Sequence, residues 1–535
     1  MNHHTRPILL SLALFVLLAV VHTWPMAAAP SHWSRVDGDG GLNTWAVSWV
    51  AHALIEDPTK VFEANIFYPQ HQTLAYSEAM LLQGLCALPV IALGGSAVLA
   101  YNVAVFSGFV LTGWLFCLLI RRWTGYWSAG CIGGSLAAFN AYTLVNITHL
   151  QFLHAGFLAV MLYALDRLIV TPRTRDALWL ALAFVLQALA SIYLMVFAVF
   201  ALGFALVART GEWIRCSVPL VARLAGAAAM ALVLLWPFLA PYRDLNTSEH
   251  FVRSAEEAES ASVENYLSTG ARVHFDWWSK ELGGGVSTSV FPGIVALTLV
   301  ALAFVDRDQH RDRRFRMCAV AAAGCIVLSF APSLPFYASL HAAVPLLQMV
   351  RAIHRIGQVM LLLVAILAGF GVAALARAWG GTRTWPAAGA GMLILVNGEA
   401  LRAPIDYGWF GGVPPAYEVL AKEPVAVVAE APFPMPSQWF LNSPYMVNST
   451  RHWKPLLNGY SGFRPASYDT AYEAMRAFPS DASLIALHQL GVTHVVVHRR
   501  EMLGAAAGED PFNRVASIRL LASDDDVSIY KLLGQ

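Results

Sequence analysis

The run Ala79-Met-Leu-Leu-Gln-Gly-Leu-Cys-Ala-Leu-Pro89-Val-Ile-Ala-Leu93 decides how this chain is threaded. It is apolar, broken by Pro89 and ended by Gly94-Gly95. A bilayer crossing needs about 20 apolar residues. This run is shorter, so it reads as an interfacial or re-entrant helix. If it crossed, every later loop would change sides.

The rest of the sequence supplies the test. Of 535 residues, 57% are hydrophobic and 13% are charged, with a mean hydropathy of +0.55. A soluble globular chain carries about 25% charge, so the composition excludes a purely soluble enzyme and a disordered chain. The net charge of +1 leaves no basic footprint for nucleic acid. A polytopic membrane protein remains, and it is expected to be mostly α. Spans are predicted near 7–27, 96–120, 127–145, 153–170, 176–191, 193–209, 217–241, 288–305, 317–333, 357–378 and 385–401. The first could pass for a signal peptide, but its apolar core is long and no clear small-residue cleavage site comes after it. The apolar run 176–209 is too long for one crossing and is split near Ser191-Ile192-Tyr193.

With the N-terminus inside, Arg121-Arg122, Arg173, Arg175, Arg209, Arg215, the tract Arg307 to Arg316, Arg377 and Arg383 all fall in cytoplasmic loops. The positive-inside rule therefore favours eleven spans with 79–93 excluded, and a C-terminus outside. Asp166-Arg167 then lies near a cytoplasmic end, where snorkelling accounts for it. The six Cys lie within or beside apolar stretches and read as small buried residues.

This threading gives two modules. Residues 1–401 form a transmembrane module with a long first outer loop, 28–95. Residues 402–535 form a small outer α/β domain, with β-rich runs at 425–430 and 492–498, helical periodicity over 467–490, and two strands within 518–533. Two further outer segments stand out. One is acidic, with Glu256, Glu257, Glu259 and Glu264, and one is basic, with Arg351, His354 and Arg355.

The chemistry-bearing residues lie on this outer side. The first loop reads Arg35-Val-Asp37-Gly-Asp39-Gly-Gly-Leu-Asn43-Thr-Trp45-Ala-Val-Ser-Trp49-Val-Ala-His52. Its two acids sit among glycines, which permit close backbone approach to a ligand. Residues 43–55 have helical spacing, with Trp45 and Trp49 on one face at headgroup depth. The plain alternative is a solvated Asp/Gly turn capping an interfacial helix. Arg351 and Arg355, four apart, are expected to share a helix face and to fit an anionic lipid phosphate; ordinary headgroup contact is the alternative. Among the weaker cavity candidates, His149 and His154 lie in a short outer loop, Tyr193 lies at an outer turn, and Glu78 lies late in the first outer loop. No Walker, GxGxxG, HExxH or GxSxG motif occurs, and the spans hold few buried charges of the kind that coupled transporters use.

A first span followed at once by a long outer loop bearing an acid resembles the GT-C superfamily of membrane glycosyltransferases. The run from Gly38-Asp39 through Trp45, Trp49, His52, Asp57-Pro58 and Phe67-Tyr68-Pro69 is similar to a largely uncharacterised bacterial subgroup of that superfamily. So are the segment Arg351 to Arg355 and the tail run from Asn448 through His452, Lys454, Asn458-Gly459-Tyr460 to Phe463. The resemblance implies a bacterial inner-membrane enzyme with an inverting mechanism and a periplasmic site. It implies a polyprenyl-phosphate-sugar donor and a glycan, lipid or protein acceptor, amid membrane lipids. Asp39 would be the general base, with Asp37 as understudy, and Arg351, Arg355 and His354 would hold the donor phosphate. Metal-dependent members carry further acidic ligands; none is identified in this chain, so a divalent metal has no support and no cofactor is assigned. The competing class is non-enzymatic: a lipid-linked glycan flippase, or an assembly factor on the same scaffold.

Overall fold

The computed structural model describes residues 5–36, 38–214, 217–248, 254–283, 285–503 and 511–533. Four helices among them are long and apolar enough to cross a membrane: Thr5–His22, Ala97–Thr124, Val218–Thr247 and Ile353–Trp379. The chain is thus a multi-pass membrane protein. We label α1 (Thr5–His22), α2 (Gly38–Glu56), α3 (Leu81–Ala92) and α4 (Ala97–Thr124). With 12 residues, α3 is about 18 Å long, short of the ~30 Å hydrocarbon core.

The residues divide into two compact units. One holds 1–27, 105–240 and 246–405; the other holds 28–104, 241–245 and 406–535. The first outer loop thus folds with the tail.

The first unit is a helical bundle centred on Gly357–Trp379. Glycines let its helices approach closely. A methyl group on Gly371 would stand 1.9 Å from the Leu299 carbonyl, and one on Gly133 2.9 Å from that of Ala365. Phe15 of α1 fills the space beside Gly113 and Gly134, and His22 Nε2 meets Asn397 Oδ1 at 2.8 Å.

Several expected spans are broken in ways the apolar pattern did not reveal. The stretch expected as 127–145 divides into Trp127–Ala138 and Ala141–Val145. Asn140 causes the break: its side chain accepts from Thr143 N and donates to Ala137 O, ending one helix and capping the next. The span expected from 288 begins as a helix only at Ile294, after Pro292 and a left-handed Gly293. The Glu399 carboxylate satisfies the first amides of that helix, at Ile294 and Val295. The split at Ser191 is present between Thr174–Ala190 and Ile192–Ala208, where Ser191 Oγ accepts from Leu194 N.

Asp166 departs from the snorkelling expectation. It is buried and accepts from Arg209 and from Arg314 Nε, while Glu212 pairs with Arg209 and Arg313. Two cations from elsewhere in the chain converge on Asp166, because a buried carboxylate needs a partner. Removing one member of such a pair costs about 3–5 kcal/mol.

In the second unit, α3 packs on α2, with Val50 against Gly84. Strands β1 (Trp33–Ser34) and β2 (Gly408–Trp409) pair antiparallel. Strands β3 (Val428–Ala431), β4 (His494–His498), β5 (Ile518–Ser523) and β6 (Val527–Leu532) form a sheet in the order β3-β4-β6-β5. β3 and β4 run parallel and the other pairs antiparallel.

Candidate active site

Asp39 lies in the first turn of α2. There the unpaired amides and the helix dipole favour a carboxylate. Glycines on both sides make the turn. Gly38 has φ +48°, a left-handed conformation suited to glycine. A methyl group on Gly40 would meet the Arg35 carbonyl at 2.1 Å, and one on Gly41 would meet Ser443 Cβ at 2.8 Å. Thr44 Oγ1 donates back to Gly40 O, tightening the turn.

Tyr460 reaches this turn from the tail: its hydroxyl donates to Asp39 Oδ1 at 2.6 Å. Burial, the Asp39 charge and this hydrogen bond push the Tyr460 phenol well above its usual pKa. Arg35 and Asp39 both act electrostatically on Tyr101. Tyr407 is buried nearby in the charge field of Tyr101 and Arg35, and burial above all raises its pKa. Asp37 lies outside the described residues.

The helix 38–56 starts earlier than the periodicity predicts, and its tryptophans are buried within the protein. Trp45 is 1% exposed and Trp49 9%. Trp45 Nε1 donates to Asn65 Oδ1, and Trp49 Nε1 to Val61 O. Trp453 of the tail meets Trp49 edge-on and stacks on His52, with centroids 4.4 Å apart. These indoles are core, because the loop and the tail supply both apolar cover and acceptors for their N–H groups.

The tail run 448–463 connects these parts. Its Leu456 N donates to Asn65 O, while Phe67 N and Tyr68 N donate to Asn458 O and Leu456 O. On its other side Leu457 N donates to Val428 O of β3, and Asn458 Oδ1 accepts from Glu430 N. The Phe67 ring fills the place where Gly459 would carry a side chain. Below it, Glu430 accepts from Tyr417 and contacts His498 Nε2 at 2.7 Å in full burial. Burial opposes the charged His498 ring, but the Glu430 bond and charge outweigh it and hold its pKa above the usual value. Glu78 is half-buried beside Tyr242, whose hydroxyl donates to Ser77 O and accepts from Ala79 N.

In the bundle unit, Arg351 and Arg355 do not share an α-helix face. Residues Ile353–Ile356 form a 3-10 turn, and the α-helix begins at Gly357. Glu259 is the reason. Its backbone bridges Ala352 in parallel, accepts from His354 N and donates to Arg351 O, which holds the segment extended. The Glu259 carboxylate lies 3.0 Å from Arg351 Nε and 3.7 Å from His354 Nδ1. Tyr193 Oη accepts from Arg351 N at 3.3 Å. The Arg355 guanidinium stands over the Phe152 and Tyr193 rings, at 5.5 and 5.8 Å. His149 is half-buried, its ring 6.1 Å from that of Phe152. Thus Arg351, His354, Arg355, Tyr193 and His149 form one neighbourhood. His154 does not join it; it is buried against Ser107 Oγ, and its carbonyl accepts from Gln187. Among the described residues no carboxylate pairs with Arg355, and no group of three or more His, Cys, Asp or Glu is placed to hold a metal.

Sequence reasoning singled out neither Tyr101 nor Tyr407 nor Glu259's link to Arg351. Tyr460 stands in the tail run that sequence reasoning noted, but its bond to Asp39 was not foreseen. The one signal for Tyr460 was its place in that polar, glycine-bearing tail segment.

No protein-family model matches the chain, and no curated protein sequence does. Solved structures do. ArnT from Cupriavidus metallidurans in the apo state aligns over 100% of both chains, with a TM-score of 0.51 and 14% sequence identity. The arabinofuranosyltransferase AftD from Mycobacteria aligns over 99% of this chain and 41% of its own longer chain, with a TM-score of 0.58 and 15% identity. The chain has the GT-C fold.

Proposed function

We propose that this GT-C-fold chain is an inverting membrane glycosyltransferase. It moves a sugar from a polyprenyl-phosphate donor to a glycan, lipid or protein acceptor at the periplasmic face of a bacterial inner membrane. The observation that carries the reading is Asp39: a carboxylate on a glycine-built helix start, held by a phenol. A sugar hydroxyl is a poor nucleophile at neutral pH, and a positioned carboxylate removes its proton as attack proceeds. In this reading the acceptor oxygen attacks the anomeric carbon from the face opposite the phosphate. Its proton passes to Asp39. The carbon–oxygen bond to phosphate breaks, and polyprenyl phosphate leaves with the electron pair.

Arg351 and Arg355 are the proposed ligands of that phosphate. Arg forks match phosphate oxygens and stabilise charge as it develops on the leaving group. Arg355 supports this role, since aromatic rings orient its guanidinium.

The experiment uses the full chain in lipid vesicles with radiolabelled undecaprenyl-phosphate pentoses and hexoses, and extracted bacterial envelope as acceptor. Asp39→Asn is expected to lower transfer by at least about 100-fold with unchanged thermal unfolding. Full transfer in that variant would remove Asp39 as base. Donor translocated across the vesicle without transfer would favour the flippase.

A further inference from the structure

Tyr460 stands 421 residues from Asp39 in sequence and makes a 2.6 Å hydrogen bond to it. Bonds to a charged acceptor are shorter and stronger than neutral ones. The tyrosine is held independently of that bond. Its amide donates to Met446 Sδ at 3.2 Å. Trp439 meets its ring edge-on at 5.1 Å. The preceding Asn458 donates to both Glu430 O and Asn442 Oδ1, and Gly459 is pressed against Phe67. The phenol is therefore fixed by the tail's own packing, and the carboxylate is fixed by the phenol. Because burial first, and then Asp39, push the phenol's pKa up, Tyr460 remains a donor across the working pH range.

We infer that Tyr460 is a positioning residue for Asp39, orienting its carboxylate and stabilising its charged form. The inference deepens, and rests on, the proposal that Asp39 is the base. It also gives the tail a task in the reaction: to place one hydroxyl at the start of α2. A tyrosine that merely tied loop to tail would shift the proton affinity of Asp39 without moving the acid limb of the transfer rate or kcat, which makes the two roles separable.

The test is an infrared titration of the purified full chain, with the Asp39 signal isolated by subtracting the Asp39→Asn spectrum. Tyr460→Phe keeps the ring against Trp439 and removes only the donor. It is expected to move the Asp39 midpoint to higher pH by about one unit. The acid limb of the transfer rate should move with it, and kcat should fall about tenfold at unchanged donor KM. Placing 3-fluorotyrosine at position 460 strengthens the donor at nearly constant volume and should move the midpoint the other way. If Tyr460→Phe does not fold, the fluorinated protein decides. Unmoved midpoints would overturn the positioning role even if Asp39→Asn abolishes transfer. Full transfer by Asp39→Asn with shifted midpoints would instead overturn the base and leave the Tyr460 link standing.

Discussion

At the scale of single residues, the donor-binding reading turns on Glu259. Its carboxylate already lies against Arg351 and near His354, so a donor phosphate would compete with an internal anion. Glu259→Gln is therefore expected to lower the donor KM a few-fold, the effect being modest because Arg351 is half exposed. Arg351→Ala should raise the donor KM about tenfold. Donor KM values measured in vesicles check both; a raised KM in Glu259→Gln would mean that the acid orients the arginine instead. What the sequence showed at this scale depended on distance along the chain. The basic segment stood out locally because outer-side cations are unusual. That it was extended did not, because the strand-like bridge comes from Glu259, far away in sequence. Trp45 and Trp49 looked interfacial for the same reason: four-residue spacing is visible, but Asn65, Val61 and Trp453 as their partners are not.

At the scale of elements, α2 is the part whose start matters most. Gly41 allows its first turn to lie against Ser443. Gly41→Ala would push a methyl group to within 2.3 Å of the Val36 carbonyl and 2.8 Å of Ser443 Cβ. Overpacking of this kind costs about 1–3 kcal/mol. The expected outcome is a lowered thermal midpoint together with reduced transfer; a variant matching the parent in both would mean that the turn yields freely. Helix ends were legible wherever the signal was local. Ser191 interrupts an apolar run and caps the helix Ile192–Ala208. Gly94-Gly95 close a helix too short to cross, while Pro89, expected to break it, lies inside it. Asn140 carries the same kind of cap, but it sits inside a run so apolar that periodicity passes over it. Glu399 is subtler still, since it serves a helix that begins at Ile294.

At the scale of the whole molecule, the second unit is assembled from chain pieces distant in sequence. Deleting 406–535 would strip Trp49, His52 and Phe67 of Trp453 and Trp439 and remove the pairing of Phe67 and Tyr68 with the tail. The first loop is then expected to be cut rapidly by limited proteolysis between residues 57 and 80, where the full chain resists. Resistance in the truncated chain would show that the loop folds by itself. Composition marked out the membrane character of the chain at once, because hydropathy is a sum over residues. Which outer pieces fold together is a matter of tertiary pairing, which no sum contains. The span of 421 residues between Asp39 and Tyr460 has a further consequence, for biosynthesis. At roughly 5–20 residues per second, a ribosome needs about 20–80 s to make the intervening chain. Throughout that interval the nascent first loop lacks Trp453, Trp439 and Tyr460, the tail partners of Trp49, His52, Phe67 and Asp39. The loop therefore reaches its final packing only when translation of the tail is complete.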